Sequence, residues 1–188
     1  EKVRRVIEYI HAGDVFQVNL SQRFLGELPS GLSSFDLYRR LRKQSPAPFS
    51  AYLSCGEGSS LASASPELFL RLYGDGRIET RPIKGTRPRG ATDEKDRALA
   101  ELLMNSEKDR AENLMIVDLL RNDLSKVCDF GSIEVSKMFG LESFANVHHL
   151  VSVVEGRCRE NVDAVALLKA AFPGGSITGA PKIRAMEI

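Results

Sequence analysis

Five places along this 188-residue chain bring together side chains that can do chemistry. Lys84 stands in Pro82-Ile83-Lys84-Gly85-Thr86-Arg87-Pro88-Arg89, where a hydrophobic stretch closes against a glycine. A lysine partly desolvated there offers a neutral amine as nucleophile. The other reading is a solvent-facing lysine at a strand end, which spacing alone favours. Glu67, in Ser65-Pro66-Glu67, leads into an apolar run. Partial burial suits such a carboxyl to general acid work, and an exposed edge-strand glutamate fits the residues equally well. Asp109 and Glu112 are spaced i, i+3 on one helix face, and the helix that follows is apolar nearly all round, which predicts burial. A carboxylate leading into a buried helix needs a partner. One partner is Mg²⁺, which takes only one or two protein carboxylates; the alternative, favoured by the residues alone, is an acid pair held by the helix dipole and arginines. The loop 174–180, just before Pro181 and Lys182, is rich in glycine and small residues. It is either an anion site built from backbone amides at a helix start or a plain turn. Its continuation Ala-Pro-Lys rules out a Walker A loop, and no G-x-G-x-x-G follows a strand. His148 and His149 are adjacent in a strand and so face opposite ways, which argues against a shared metal. One of them can bond a ligand, and a structural role is the default for both.

The positions of these groups depend on the elements that carry them. Val3, Val6, Ile7 and Ile10 follow helical spacing, which predicts a helix over 1–11 closed by Gly13 in the left-handed conformation. Alternation over 16–21 predicts a strand with Phe16, Val18 and Leu20 on a dry face and Gln17, Asn19 and Ser21 on a polar one. Ser33 or Ser34 caps a helix to about 43, ended by Ser45-Pro46-Ala47-Pro48. Short strands follow at 49–55, 61–65, 67–73 and 77–83, with glycine turns at 56–58 and 74–76. Glu67 and Lys84 then fall on the two arms of one hairpin, which brings them near one another. Helices are expected at 93–104 and 107–121, the second capped by Ser106 with Asp109 three residues on. Strands at 132–138 and 147–154, a helix from Asp163 to about 172, and a last helix with Pro181 at its first position complete the pattern. Hairpins and helix pairs without regular βαβ alternation predict the α+β class.

Lys plus Arg number 26 and Asp plus Glu 25, a net charge of +1, and hydrophobic residues make up 43%. These are ordinary globular values, and near-neutrality argues against a general hold on nucleic acid. The longest stretch without Asp, Glu, Lys or Arg, 44–56, is 13 residues, too short for a membrane span. Three cysteines far apart, with no C-x-x-C, suit buried thiols in a reducing cytoplasm. Neither end of the chain looks natural, so it is read as a piece of a longer protein.

Taken together, these segments resemble the chorismate-utilising enzymes. The resemblance is carried by Val15-Phe16-Gln17-Val18-Asn19-Leu20-Ser21, Ser65-Pro66-Glu67, Arg81-Pro82-Ile83-Lys84-Gly85-Thr86, the stretch 108–118, Val147-His148-His149-Leu150-Val151-Ser152 and the stretch 172–182, in the family's order over nearly the whole chain. It implies a chorismate-binding-type fold, with antiparallel sheets and helices packed outside, incomplete at both ends. Residues 1–188 are then a single partial catalytic domain lacking an N-terminal subdomain, which in relatives can bind tryptophan, and a C-terminal catalytic segment. In this family the lysine of Pro-Ile-Lys-Gly-Thr marks the branch that aminates chorismate at C4, while anthranilate synthases typically carry alanine there. Gln17 stands where isochorismate and salicylate synthases place a water-activating lysine.

The resemblance further implies roles. Lys84 attacks C2 of the ring while Glu67 protonates the departing C4 hydroxyl, and ammonia then enters at C4. Mg²⁺ grips the ring carboxylate, with Glu112 as ligand and Asp109 nearby. His149 and the amides of Thr178, Gly179 and Ala180 hold that carboxylate, and Gln17 and Thr86 also belong to the substrate site. A glutamine amidotransferase subunit supplies the ammonia, and half a metal shell leaves this piece alone with little activity. The competing expectations are anthranilate synthase or another chorismate enzyme, and a non-catalytic binding or scaffold fragment.

Overall fold

A computed structural model describes residues 1–188. In chain order the elements are α1 (Lys2–His11), β1 (Gln17–Val18), α2 (Ser34–Gln44), β2 (Phe49–Gly56), β3 (Ser59–Ser65), β4 (Leu68–Leu72), β5 (Arg77–Arg81), β6 (Ile83–Pro88), α3 (Asp93–Met104), α4 (Glu107–Ser125), β7 (Glu134–Ser143), β8 (Val147–Arg157), α5 (Ala164–Ala171), β9 (Gly179–Ala180) and α6 (Lys182–Glu187), with a 3-10 turn, Gly175–Ile177, before β9. The pairings β1–β9, β2–β3, β5–β8, β6–β8 and β7–β8 are all antiparallel, as the α+β reading requires. The chain divides into two compact units, Ser21–Leu68 and Glu1–Leu20 with Phe69–Ile188. No helix is long and apolar enough to cross a membrane.

In the unit Ser21–Leu68, α2 begins with a full capping box: the Ser33 hydroxyl accepts from the Asp36 amide, and the Asp36 carboxylate accepts from the Ser33 amide. β2 and β3 form a hairpin, and the rings of Phe35, Tyr38 and Tyr52 cluster where α2 meets it, 5.1 to 6.1 Å apart.

The larger unit is organised around β8. Its Val147-His148-His149-Leu150-Val151-Ser152-Val153-Val154 run favours extended backbone, and it is buried along most of its length. β7 covers one edge of β8 from Ser143↔His148 to Glu134↔Glu155. On the other edge β5 and β6 follow one another in a single register, Thr80↔Val154 and then Ile83↔Val151. Pro82 separates the two because it has no N–H, yet its carbonyl still accepts from the Ser152 amide at 3.2 Å. The expected return strand 77–83 therefore runs on to Pro88, and Lys84 lies past the proline on β6.

α4 packs on the even-numbered face of β8. Asn113, Ile116, Val117, Leu120 and Leu124 form its buried stripe, whereas Leu114 is half exposed. The expected burial all round is thus replaced by a one-sided stripe at i, i+3, i+4 spacing. Ile78, Val117, Leu124, Val127, Cys128, Val154, Cys158 and Leu167 make the core. All three cysteines are free thiols; Cys128 and Cys158 are buried as expected, whereas Cys55, near the end of β2, is exposed.

Several boundaries differ from the sequence pattern for local reasons. The strand expected over 16–21 shrinks to β1, and Phe16 and Leu20 are exposed, because only Gln17 and Val18 find a partner strand in β9. β7 begins two residues late and ends at Ser143, bulging around Gly140 where Phe139 takes a positive φ of 53°. Pro181 is the N-cap of α6 and not its first residue, with extended ψ of 137°. Gly13 takes φ 83° just after α1, as expected.

Candidate active site

Lys84 and Thr86 sit on β6 at a bulge: the register with β8 slips between Ile83↔Val151 and Thr86↔His149. Gly85 makes the slip, with φ 93°. A methyl group on Gly85 would lie 2.8 Å from the Leu103 side chain and 2.8 Å from Asp109 Cβ, so β6 lies directly against the end of α3 and the start of α4. Lys84 is half-buried beside that contact. Lys84 is the second residue of β6, so it does not close a strand as its motif predicts, and its exposure is intermediate.

His149 Nδ1 lies 2.9 Å from the Thr86 hydroxyl, and its ring meets Phe144 edge-on at 5.6 Å. Burial lowers its pKa below the usual histidine value, with Glu142 opposing weakly, so the ring tends to stay neutral. His148 points the other way: Nδ1 meets Ser143 Oγ at 2.8 Å and Nε2 meets Asp96 Oδ1 at 3.0 Å. The opposed faces expected for the pair are therefore observed. Asp96 in turn takes a bidentate grip from Arg89, at 2.8 and 2.7 Å, and the Gly90 amide. These bonds hold its carboxyl far below the ordinary range, the arginine contributing most. This chain fastens the start of α3 to β8, a structural task.

At the start of α4, Ser106 Oγ accepts from the Asp109 amide at 3.3 Å. The Asp109 side chain does not complete a capping box; it accepts from Arg87 at 2.9 Å. Arg87 is one residue beyond Thr86, so this ion pair ties β6 to α4. Glu112 is half exposed, its only recorded ion-pair contact Lys108 at 3.9 Å one turn back. No group of three or more His, Cys, Asp or Glu side chains converges into an ion site. A half-exposed carboxylate is a hard oxygen donor of the kind Mg²⁺ takes one or two of, and Glu112 is one such group. Asp109 fits the arginine-partner alternative.

Asn113, next to Glu112, fixes the rotation of α4. It donates to the Leu150 carbonyl at 3.2 Å and accepts from Ser152 Oγ at 2.6 Å, and that hydroxyl accepts from the Phe139 amide at 3.1 Å. Both side chains are wholly buried. Sequence reasoning passed over Asn113; its signal was a polar residue on the apolar stripe 113, 116, 117, 120, 124. Arg87 was quoted in its motif without a role, and pairing with Asp109 supplies one.

The loop 174–180 is not a set of free amides. The Ile177 and Thr178 amides donate to Gly174 and Gly175, and Thr178 Oγ1 donates to Gly174 at 3.0 Å. Its far end is held by β1: the amides of Phe16 and Asn19 donate to Ala180 and Thr178, and Asn19 Nδ2 to Ser176 at 2.9 Å. Gly179, at φ 150°, presses against the Gln17 carbonyl so closely that no Cβ fits. Gln17 and the Thr178-Gly179-Ala180 segment therefore come together through β1–β9, as Lys84, Thr86 and His149 do through β6–β8. Glu67 lies between β3 and β4, in the unit Ser21–Leu68, where its carbonyl accepts from the Ser65 hydroxyl at 2.9 Å.

The antiparallel sheet with α4 packed on it is that of the chorismate binding enzymes: the sequence model of that family matches residues 1–188, and the chain is a member of it. Aminodeoxychorismate synthase component 1 of Klebsiella aerogenes is 52% identical over 188 residues, all of this chain and 41% of that protein. Anthranilate synthase component 1 1 of Haloarcula marismortui (strain ATCC 43049) is 50% identical over 188 residues and 38% of its own length. Among solved structures, anthranilate synthase component I from Streptococcus pneumoniae TIGR4 superposes with a TM-score of 0.79 at 38% identity, covering 98% of this chain and 39% of that one. The chain spans about two fifths of the length of the curated relatives it matches.

Proposed function

We propose that the protein containing this chain aminates chorismate at C4 to give 4-amino-4-deoxychorismate, in the cytoplasm, on the route to 4-aminobenzoate and folate. The observation that carries the reading is Lys84, a half-buried lysine in Pro82-Ile83-Lys84-Gly85-Thr86, two residues from the Thr86–His149 pair. Its amine nitrogen forms a bond to C2 as the ring double bonds shift and the C4–O bond breaks. Glu67 gives its proton to the departing hydroxyl, which leaves as water. Ammonia then bonds to C4, the double bonds shift back, and the C2–nitrogen bond breaks to return Lys84. The net change is chorismate plus ammonia to aminated product plus water. Two substitutions replace one difficult displacement, the usual advantage of a covalent nucleophile.

Gly179 and Ala180 cradle the ring carboxylate, shaped by Thr178, with a neutral His149 donating from Nε2 while Thr86 holds its other nitrogen. Gln17 lines the same pocket and supplies no amine that could activate water. Mg²⁺ held by Glu112 would neutralise the ring carboxylate; Asp109 keeps Arg87, and with it β6, in place beside that site. A glutamine amidotransferase subunit delivers the ammonia. The 188-residue chain alone, holding one open carboxylate for the metal, is expected to turn over little substrate.

The relative from Haloarcula favours a second reading, amination at C2 to anthranilate, since its identity is nearly as high. Lys84 supports the first reading, because a covalent amine at C2 blocks that carbon from ammonia. Full-length protein incubated with chorismate, Mg²⁺ and ammonium should yield the C4 product, and Lys84→Ala should abolish it. Anthranilate as product, or full activity in the alanine variant, would overturn the assignment.

A further inference from the structure

Lys182 plays no part in the chemistry above, yet it is the one lysine that is buried. Its side chain is 8% exposed, and its Nζ donates to the Asp123 carboxylate, to the Ala171 carbonyl at 2.8 Å and to the Pro173 carbonyl at 3.1 Å. All three N–H bonds are thereby used. The geometry points to Lys182 as the positioning residue of the loop 172–181, setting the shape in which Gly179 and Ala180 meet the substrate carboxylate. The inference rests on the reading of that loop as the carboxylate cradle.

The partners belong to different parts of the chain. Ala171 is the last residue of α5, where carbonyls lack helical donors and the dipole favours a cation. Pro173 is the second residue of the loop. Asp123, 2% exposed on α4, also takes Lys126 at 2.9 Å on its other oxygen. Lys182 comes just after the loop, so its ammonium reaches back and joins the loop's end to its beginning, on a carboxylate anchored in the core helix. The far stretch is pinned separately to β1 through Phe16 and Asn19, and Gly175 is pressed against Leu119 of α4. Ten residues are thus closed at both ends.

Stability alone gives little reason for this arrangement, because desolvating two charges cancels much of their attraction and an apolar pair of similar volume often serves as well. Apolar side chains, however, cannot gather two backbone carbonyls onto a carboxylate. The carboxylate is bound alike in ground and transition states, so loss of the clamp should weaken substrate binding and spare the chemical step.

The test uses full-length protein with Lys182→Arg, which keeps the charge but cannot aim three hydrogens at one point, and with the double variant Lys182→Met, Asp123→Asn, which leaves no buried unpaired charge. Both should raise KM for chorismate at least tenfold with kcat within about threefold, and speed hydrogen exchange of the amides of 174–180 at least tenfold relative to those of β8. Either variant with wild-type KM and wild-type local exchange overturns the inference and leaves Lys182 as a counter-ion of Asp123. A general rise in exchange, β8 included, overturns it equally. Exchange is read without substrate, so a protein that makes no C4-aminated product would sink the proposed reaction while this result still stood or fell by itself.

Discussion

Gly85 should tolerate no side chain, and the cost can be worked from its surroundings. Its φ of 93° lies where L residues are disfavoured by roughly 1–2 kcal/mol. The added methyl would stand 2.8 Å from the Leu103 side chain, which is wholly buried, and 2.8 Å from Asp109 Cβ. Forcing such a group into a packed site costs about 1–3 kcal/mol more. Gly85→Ala should therefore lose about 2–5 kcal/mol, the sum of the two effects. That is a large part of the 5–15 kcal/mol that typical domains possess. Urea unfolding followed by circular dichroism measures it, with the slope checked for constancy so that the midpoint reports stability. Because β6 must move away from α4 to make room, Lys84 and Thr86 move too, and the Arg87–Asp109 pair is stretched. A loss below about 1 kcal/mol at unchanged slope would show that the contact of β6 with α4 is loose, contrary to the reasoning on strain and packing.

Two further outcomes follow from buried polar groups. Ser152→Ala strands the Asn113 carbonyl oxygen in the interior and the half-buried Phe139 amide beside it, and should cost about 1–3 kcal/mol; a loss under about 0.5 kcal/mol in the same unfolding assay would remove Asn113 as the group that sets the rotation of α4. The lowered pKa of His149 means that the unfolded chain binds its proton more readily than the folded one, so stability rises with pH below about 6.5 and is lost on acidification through that window. Melting temperatures between pH 5 and 7.5 should show that slope, and His149→Gln should flatten it; an unchanged slope would assign the dependence to another group.

Several elements were legible in the sequence because their signals are local. Ser33 before α2, Ser106 before α4 and Asp163 before α5 all cap the helices they precede, since a side-chain oxygen two or three residues from an unpaired amide needs no tertiary help. The opposed faces of His148 and His149 follow from strand geometry alone. The residue types at Lys84, Glu67 and Glu112 were likewise plain in their motifs.

What the sequence could not decide was which neighbour each group would find. The polar–apolar alternation over 16–21 has the same pattern whether or not a partner covers it, and β9 pairs only two of those residues. Asp109 had a metal and an arginine open to it, and the bulge at Gly85 brought Arg87 within 2.9 Å. The loop 174–180 offered amides on paper, and folding turned two of them inward to Gly174 and Gly175. Lys182, unremarkable beside a proline, became a buried clamp because α4, α5 and the loop converge on it. Composition and spacing set which groups can ionise, donate or attack. Burial and partners depend on contacts between residues far apart in the chain, such as Lys182 with Asp123, 59 positions away, and these exist only after the chain has folded.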